Sequence, residues 1–138
     1  MSADGVAPTV SVFEHVVGGE HVDEYGRVNY RVFLKLFEHA QDAFMEARRV
    51  TFEQIEGDYS LHGLVVHLEL EVEAQLFAVD RVRVETFIDR VGNTSLTFAQ
   101  KMMKGVELVA EYRMVVEFVN RLGYPTPIPD LLRAKLLV

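Results

Sequence analysis

The spacing of hydrophobic positions changes period along the chain. From Val10 to Val17, "VSVFEHVV" reads as a first strand, stopped by Gly18-Gly19. Further on, Phe33, Leu36, Phe37, Ala40, Ala43, Phe44 and Ala47 recur at steps of three and four, the period of a helix with one buried face. Arg31, Lys35, His39, Gln41, Asp42 and Glu46 fall mostly on the other side, and no Gly or Pro interrupts Arg27 to Glu56. Asn29 suits the N-cap, where its side chain can accept from an unpaired backbone N–H, and Arg48 and Arg49 complement the dipole at the far end. Thr51 and Gln54 form a capping box for a short second helix ending at Gly57.

From Leu64 the period becomes two. "LVVHLELEVEA" places Val66, Leu68, Leu70, Val72 and Ala74 on one face and His67, Glu69, Glu71 and Glu73 on the other. "DRVRVETFID" points Val82, Val84, Thr86 and Ile88 inward. Turns at Val91-Gly92-Asn93 and Lys104-Gly105 separate "TSLTFAQKMM" from its neighbours, which predicts a meander of four consecutive antiparallel strands. Arginines of the second strand then face the glutamate row of the first. The tail "YPTPIPDLLRAKL" is stiffened by Pro125, Pro127 and Pro129 before a last short helix. The order is one strand, one long helix and a run of strands, an α+β arrangement in which a strongly twisted antiparallel sheet wraps around the helix and buries its apolar face. The whole chain, 1–138, reads as a single domain, with residues 1–9 expected to be flexible. One sheet on one helix leaves open strand edges, which a homodimer or homotetramer would cover.

Composition narrows the chemistry. The 138 residues are 49% hydrophobic and 25% charged, the balance of an ordinary globular protein. The absence of cysteine excludes disulfides, thiolate metal sites and a cysteine nucleophile together. A net charge of −7 argues against nucleic acid or an anionic membrane as the main partner. No apolar run reaches the roughly 18 residues of a membrane span, and "MSADGVAPTV" lacks the features of a signal peptide, so a cytoplasmic protein is expected. His15, His21, His39, His62 and His67 show no metal-ligand spacing, and no cofactor is called for.

The stretch Asp23-Glu24-Tyr25-Gly26-Arg27-Val28-Asn29, running into "YRVFLKLFEHAQDAFMEA" with Phe37-Glu38 and Ala40, resembles the hallmark and central helix of the 4-hydroxybenzoyl-CoA thioesterase-like family of hotdog-fold acyl-CoA thioesterases. "GLVVHLELEVEAQL", "DRVRVETFIDRVGNTSLTF" and "VNRLGYPTPIPDLL" are similar to the family's later strand and tail segments, so the resemblance spans about residues 10 to 135. Arg27 stands where many members carry histidine, and Ala74-Gln75-Leu76 replaces a common tyrosine-x-proline.

The resemblance implies hydrolysis of an acyl-CoA or acyl-carrier thioester at a subunit interface. Asp23 would be the nucleophile or general base, Gly26 would make the turn that folds it over the helix mouth, and the backbone N–H of Tyr30 would hold the oxyanion. Asn29 and Ser95 are further substrate-side candidates, although Asn29 reads first as an N-cap and Ser95 as strand structure lining a pocket. On the residues alone, Asp23 reads first as a loop carboxylate that caps the helix, and it is the resemblance that turns the reading to catalysis. Glu38 is the alternative catalytic carboxylate, or simply an ion-pair partner of Lys35. Arg90, Lys101, Lys104 and Arg121 are candidates for the CoA phosphates. Two rival readings share the fold: a non-catalytic acyl-CoA-binding protein, and a dehydratase or hydratase, whose histidine-then-proline loop is not visible here.

Overall fold

The computed structural model describes residues 10–137; residues 1–9, expected to be flexible, lie outside them. Strand β1 (Ser11–Val16) leads through a single 3-10 turn (Gly19–His21) to helix α1 (Tyr30–Ala47) and helix α2 (Phe52–Tyr59). Four strands follow, β2 (His62–Val72), β3 (Arg81–Val91), β4 (Ser95–Lys104) and β5 (Glu107–Val119), and then helix α3 (Asp130–Leu136).

Helix α1 forms where the 3.6-residue pattern places it. Asn29 caps it by accepting the Arg31 N–H at 2.9 Å. Its buried face is Phe33, Leu36, Phe37, Ala40, Gln41, Phe44 and Met45, so Gln41 and Met45 occupy the stripe's flank while Ala43 and Ala47 are exposed. The stripe packs over β1, β3 and β4. Phe44 meets Phe98 edge-on at 6.1 Å, and Phe37 stacks on Tyr112 at 5.1 Å. For α2 the capping box is complete: Thr51 Oγ1 accepts the Gln54 N–H at 3.1 Å, and Gln54 Oε1 accepts the Thr51 N–H at 2.8 Å. Thr51→Ala is expected to lower stability by about 1 kcal/mol, measured as a shift in urea midpoint at constant slope.

All five strands join one antiparallel sheet in the order β1-β3-β4-β5-β2. The expected meander of four consecutive strands is therefore only β3-β4-β5. The short turns at Gly92-Asn93 and Lys104-Gly105 close hairpins, whereas residues 73–80 carry the chain from one side of the sheet to the other. Strand β2 pairs with β5 instead, and β1 takes the place beside β3. The glutamates of β2 accordingly face β5: Glu69 lies opposite Arg113, while Arg83 pairs with Glu85 on its own strand at 3.1 Å. A bulge also shifts the phase of β2. Val65 pairs with Val116 and His67 with Val115, leaving Val66 as the extra residue. Val65 rather than Val66 thus shares the inner face with Leu68 and Leu70.

Helix α3 buries Leu132 and Leu136. From it Arg133 reaches the far end of β3, donating to the carbonyls of Val91 at 3.2 Å and Gly92 at 2.9 Å.

Candidate functional site

The loop before α1 is a compact turn locked by its own backbone. Val22 bridges Val28, Arg27 bridges Phe77, and the Val28 N–H donates to Leu76 C=O at 3.1 Å. Within it the Asp23 N–H donates to Arg27 C=O at 2.9 Å and the Gly26 N–H to Asp23 C=O at 3.0 Å. Gly26 has φ +77°, a conformation other residues reach only with strain, so glycine is what lets the chain reverse here.

Asp23 Oδ1 accepts two backbone bonds, from the Tyr25 N–H at 2.8 Å and the Arg27 N–H at 3.0 Å. Oδ2 faces Arg27 Nε at 3.7 Å. Foremost the Arg27 N–H, and then the Tyr25 N–H and the Arg27 guanidinium, hold this carboxyl below its ordinary 3.8. Asp23 is thus an exposed, ionised carboxylate with Oδ1 fixed in the turn and Oδ2 beside the Arg27 side chain.

Tyr30 opens α1. Asn29 supplies both local acceptors at this end, its side chain to Arg31 and its C=O to the Val32 N–H at 3.1 Å. Among the described residues nothing accepts the Tyr30 N–H. An unclaimed donor at the positive end of an 18-residue helix is the electrostatic requirement for holding a developing oxyanion. The Asn29 side-chain carbonyl is occupied as the cap. Arg27 and Arg31 also flank the mouth, with guanidinium carbons 4.9 Å from the Tyr25 ring centre and 5.5 Å from that of Tyr30. Neither arginine is a site candidate from the sequence, although Arg27 stands where many members of the resembled family carry histidine.

One turn past Tyr30 a groove of about 420 Å³ begins, running between α1 and the β2–β5 half of the sheet. It exists because α1 rests on the other half, leaving Val65 and Leu68 uncovered. Leu34, Glu38, Gln41 and Asp42 form its helical wall, with Phe52, Val65, Leu68, Tyr112, Met114 and Val116 opposite and at the ends. Glu38 makes no ion pair with Lys35 and faces the groove instead. Burial, then the nearby Glu38 charge, push the Asp42 carboxyl up, and the same two influences raise the Tyr112 hydroxyl.

Ser95 does not join this site. It begins β4 beside Val91, at the opposite end of β3 from the turn at Phe77 that braces the Asp23 loop. Eleven residues of strand separate those ends, roughly 30 Å along its axis. Of the four proposed phosphate-binding cations, Lys104 is paired with Asp80 at 3.1 Å and Arg121 donates to Ser60 at 3.3 Å. Among the described residues no three histidine or carboxylate side chains converge as metal ligands, and no helix is long and apolar enough to cross a membrane.

A five-stranded antiparallel sheet packed on one long helix is the hotdog class of fold. The model of the Thioesterase-like superfamily matches residues 17–136, and the chain belongs to that superfamily of thioester hydrolases. No curated relative matches it. Among solved structures, a 1,4-dihydroxy-2-naphthoyl-CoA thioesterase from Synechocystis is similar with a TM-score of 0.84 at 15% identity, over 93% of this chain and 96% of that one. A gentisyl-coenzyme A thioesterase aligns at TM-score 0.76 and 20% identity, over 89% of this chain and 99% of that one. A predicted thioesterase from Bacillus stearothermophilus aligns at TM-score 0.76 and 25% identity, over 93% and 94%.

Proposed function

We propose that the protein hydrolyses an acyl-CoA to the free acid and CoA, with Asp23 as nucleophile or general base and the Tyr30 N–H as oxyanion donor. The observation that carries this reading is the unclaimed Tyr30 N–H seven positions beyond an exposed carboxylate on a braced turn. As general base, Asp23 Oδ2 takes a proton from water, and the hydroxide adds to the thioester carbonyl. The tetrahedral oxyanion rests on the Tyr30 N–H, and its collapse breaks the C–S bond. The proton on Asp23 then passes to the departing thiolate, which leaves as CoA thiol. As nucleophile, Asp23 adds to the carbonyl and the C–S bond breaks, CoA thiolate taking a proton from water; a second water then opens the mixed anhydride to the free acid and returns the Asp23 carboxylate. The direct test is thiol release from short-chain, long-chain and aromatic acyl-CoAs. Turnover of any of them supports the reading; turnover of acyl-carrier-protein thioesters alone would move the substrate to that carrier.

The partner this chain fits best is a second copy of itself, paired along β2. That strand is an 11-residue sheet edge with no lysine or proline, and Leu64, Val65, Val66 and Leu68 are 49–57% exposed. Such an edge is normally covered or blunted. The expected mass by light scattering is that of a dimer or a multiple of it. Leu64→Lys with Val66→Lys should shift it toward the monomer; an unchanged mass would move the interface elsewhere.

A further inference from the structure

Gln41 was expected on the solvent side of α1, yet it is 5% exposed and its side chain lines the groove. A chain of hydrogen bonds fixes which way its amide points. Gln100 Nε2 donates to Phe37 C=O and to Thr86 Oγ1, both at 2.9 Å. A backbone carbonyl only accepts, so Gln100 must turn its NH₂ there and its oxygen toward Gln41. Gln41 therefore gives its Nε2 to Gln100 Oε1, at 2.7 Å. Its own Oε1 has no partner among the described residues. The adjoining polar groups on the helical wall, Glu38 and Asp42, are carboxylates, and no lysine or arginine lines the groove. The atom opens into the groove, where water can meet it; an acyl chain that fills the trough and displaces that water leaves a costly unpaired carbonyl unless it brings a donor.

Taking the groove as the channel for the acyl chain, a step that rests on the activity proposed above, we infer that the substrate's acyl group carries a hydrogen-bond donor, a hydroxyl or an amine, in its distal half, and that Gln41 selects it. Gln41 lies 11 positions beyond Tyr30, about 16 Å along the helix axis. At roughly 1.2 Å per bond of an extended chain, that distance corresponds to an acyl group of about twelve or thirteen carbons. The two carboxylates beside Gln41 oppose an acyl chain ending in a third. Burial first, and then the Glu38 charge, already raise the Asp42 carboxyl on this wall.

The test compares four probes of one length: dodecanoyl-CoA, 12-hydroxydodecanoyl-CoA, 12-aminododecanoyl-CoA and the CoA thioester of dodecanedioic acid. Wild type is expected to favour the hydroxy or amino probe over the plain chain by about tenfold in kcat/KM, the worth of one hydrogen bond, and to disfavour the diacid. Which of the two wins says whether the donor is neutral or cationic. In Gln41→Met the ratio should fall to near one. A ratio taken within one variant is independent of the fraction that folds, so partial misfolding does not disguise the result. Equal rates for all four probes in wild type overturn the inference while leaving thioester hydrolysis intact. A preference that survives Gln41→Met removes Gln41 from the role. If no probe is hydrolysed, the activity reading is what fails, and calorimetric binding of the same four probes then decides the selectivity. Equal affinities overturn it; tighter binding of a donor-bearing probe upholds it.

Discussion

Asp23→Asn is expected to lower kcat/KM by at least about a hundredfold while leaving the fold in place, because it removes the base or nucleophile and little else. Asparagine keeps a carbonyl oxygen where Oδ1 sits, so the bonds from the Tyr25 and Arg27 N–H groups can persist and the turn survives. Asp23→Ala would lose both bonds and confound chemistry with loop structure. The circular dichroism spectrum and melting temperature of the asparagine variant should therefore match wild type. The pH dependence follows from the same bonds. Because the folded protein depresses this carboxyl below its ordinary 3.8, the charged form is complete above that pH and disappears only as pH falls through the lowered value. The acid limb of kcat/KM for the free enzyme should accordingly lie below 3.8, provided the protein stays folded there. An asparagine variant within about threefold of wild type would reduce Asp23 to a turn-former, and Glu38→Gln would be the next substitution to make.

The largest effect on stability is expected at Phe37. Its ring is fully buried and stacked on Tyr112 with only 14° between the planes. Phe37→Ala should cost about 3–5 kcal/mol, transfer and cavity contributions combined, out of a total that for domains of this kind is about 5–15 kcal/mol. The carbonyl of residue 37 that accepts from Gln100 is retained in the variant, so the loss measures packing and not the polar network. Urea unfolding with an unchanged slope is the appropriate measurement. A loss below about 1 kcal/mol would mean that α1 is not anchored to the sheet through this ring.

Much of the fold was legible in local pattern. The extent of α1, its cap at Asn29, the box at Thr51 and Gln54, and the inward set Val82, Val84, Thr86 and Ile88 all depend on near neighbours, and all are found. What failed was non-local. Strand order depends on where residues 73–80 carry the chain, which alternation in β2 and β3 does not encode. The bulge at Val66 reverses a phase that looks unbroken in sequence. Gln41 sits at the margin of the helical stripe, and its burial is decided by Gln100, 59 positions away. For the site the division is similar. The turn around Gly26 and the helix mouth were readable, whereas the groove arises from α1 lying off-centre on the sheet. Ser95 was proposed as a pocket residue and stands at the far end of β3.

The grip of Arg133 on the β3–β4 turn has a mechanical consequence. With Val91 and Gly92 held from α3, and the Ile128 N–H donating to Asn93 C=O at 2.8 Å, that end of the sheet is stapled by a second element. At the other end of β3 the ties come from the sheet itself, the buried Val17 N–H donating to Asp80 C=O at 2.8 Å and Lys104 pairing with the Asp80 carboxylate, with no helix among the described residues holding the turn. Amide exchange at the β3–β4 turn should therefore be slow for a hairpin tip, and Arg133→Ala should quicken it there while leaving the Arg81 end, paired on both sides by β1 and β4, unchanged.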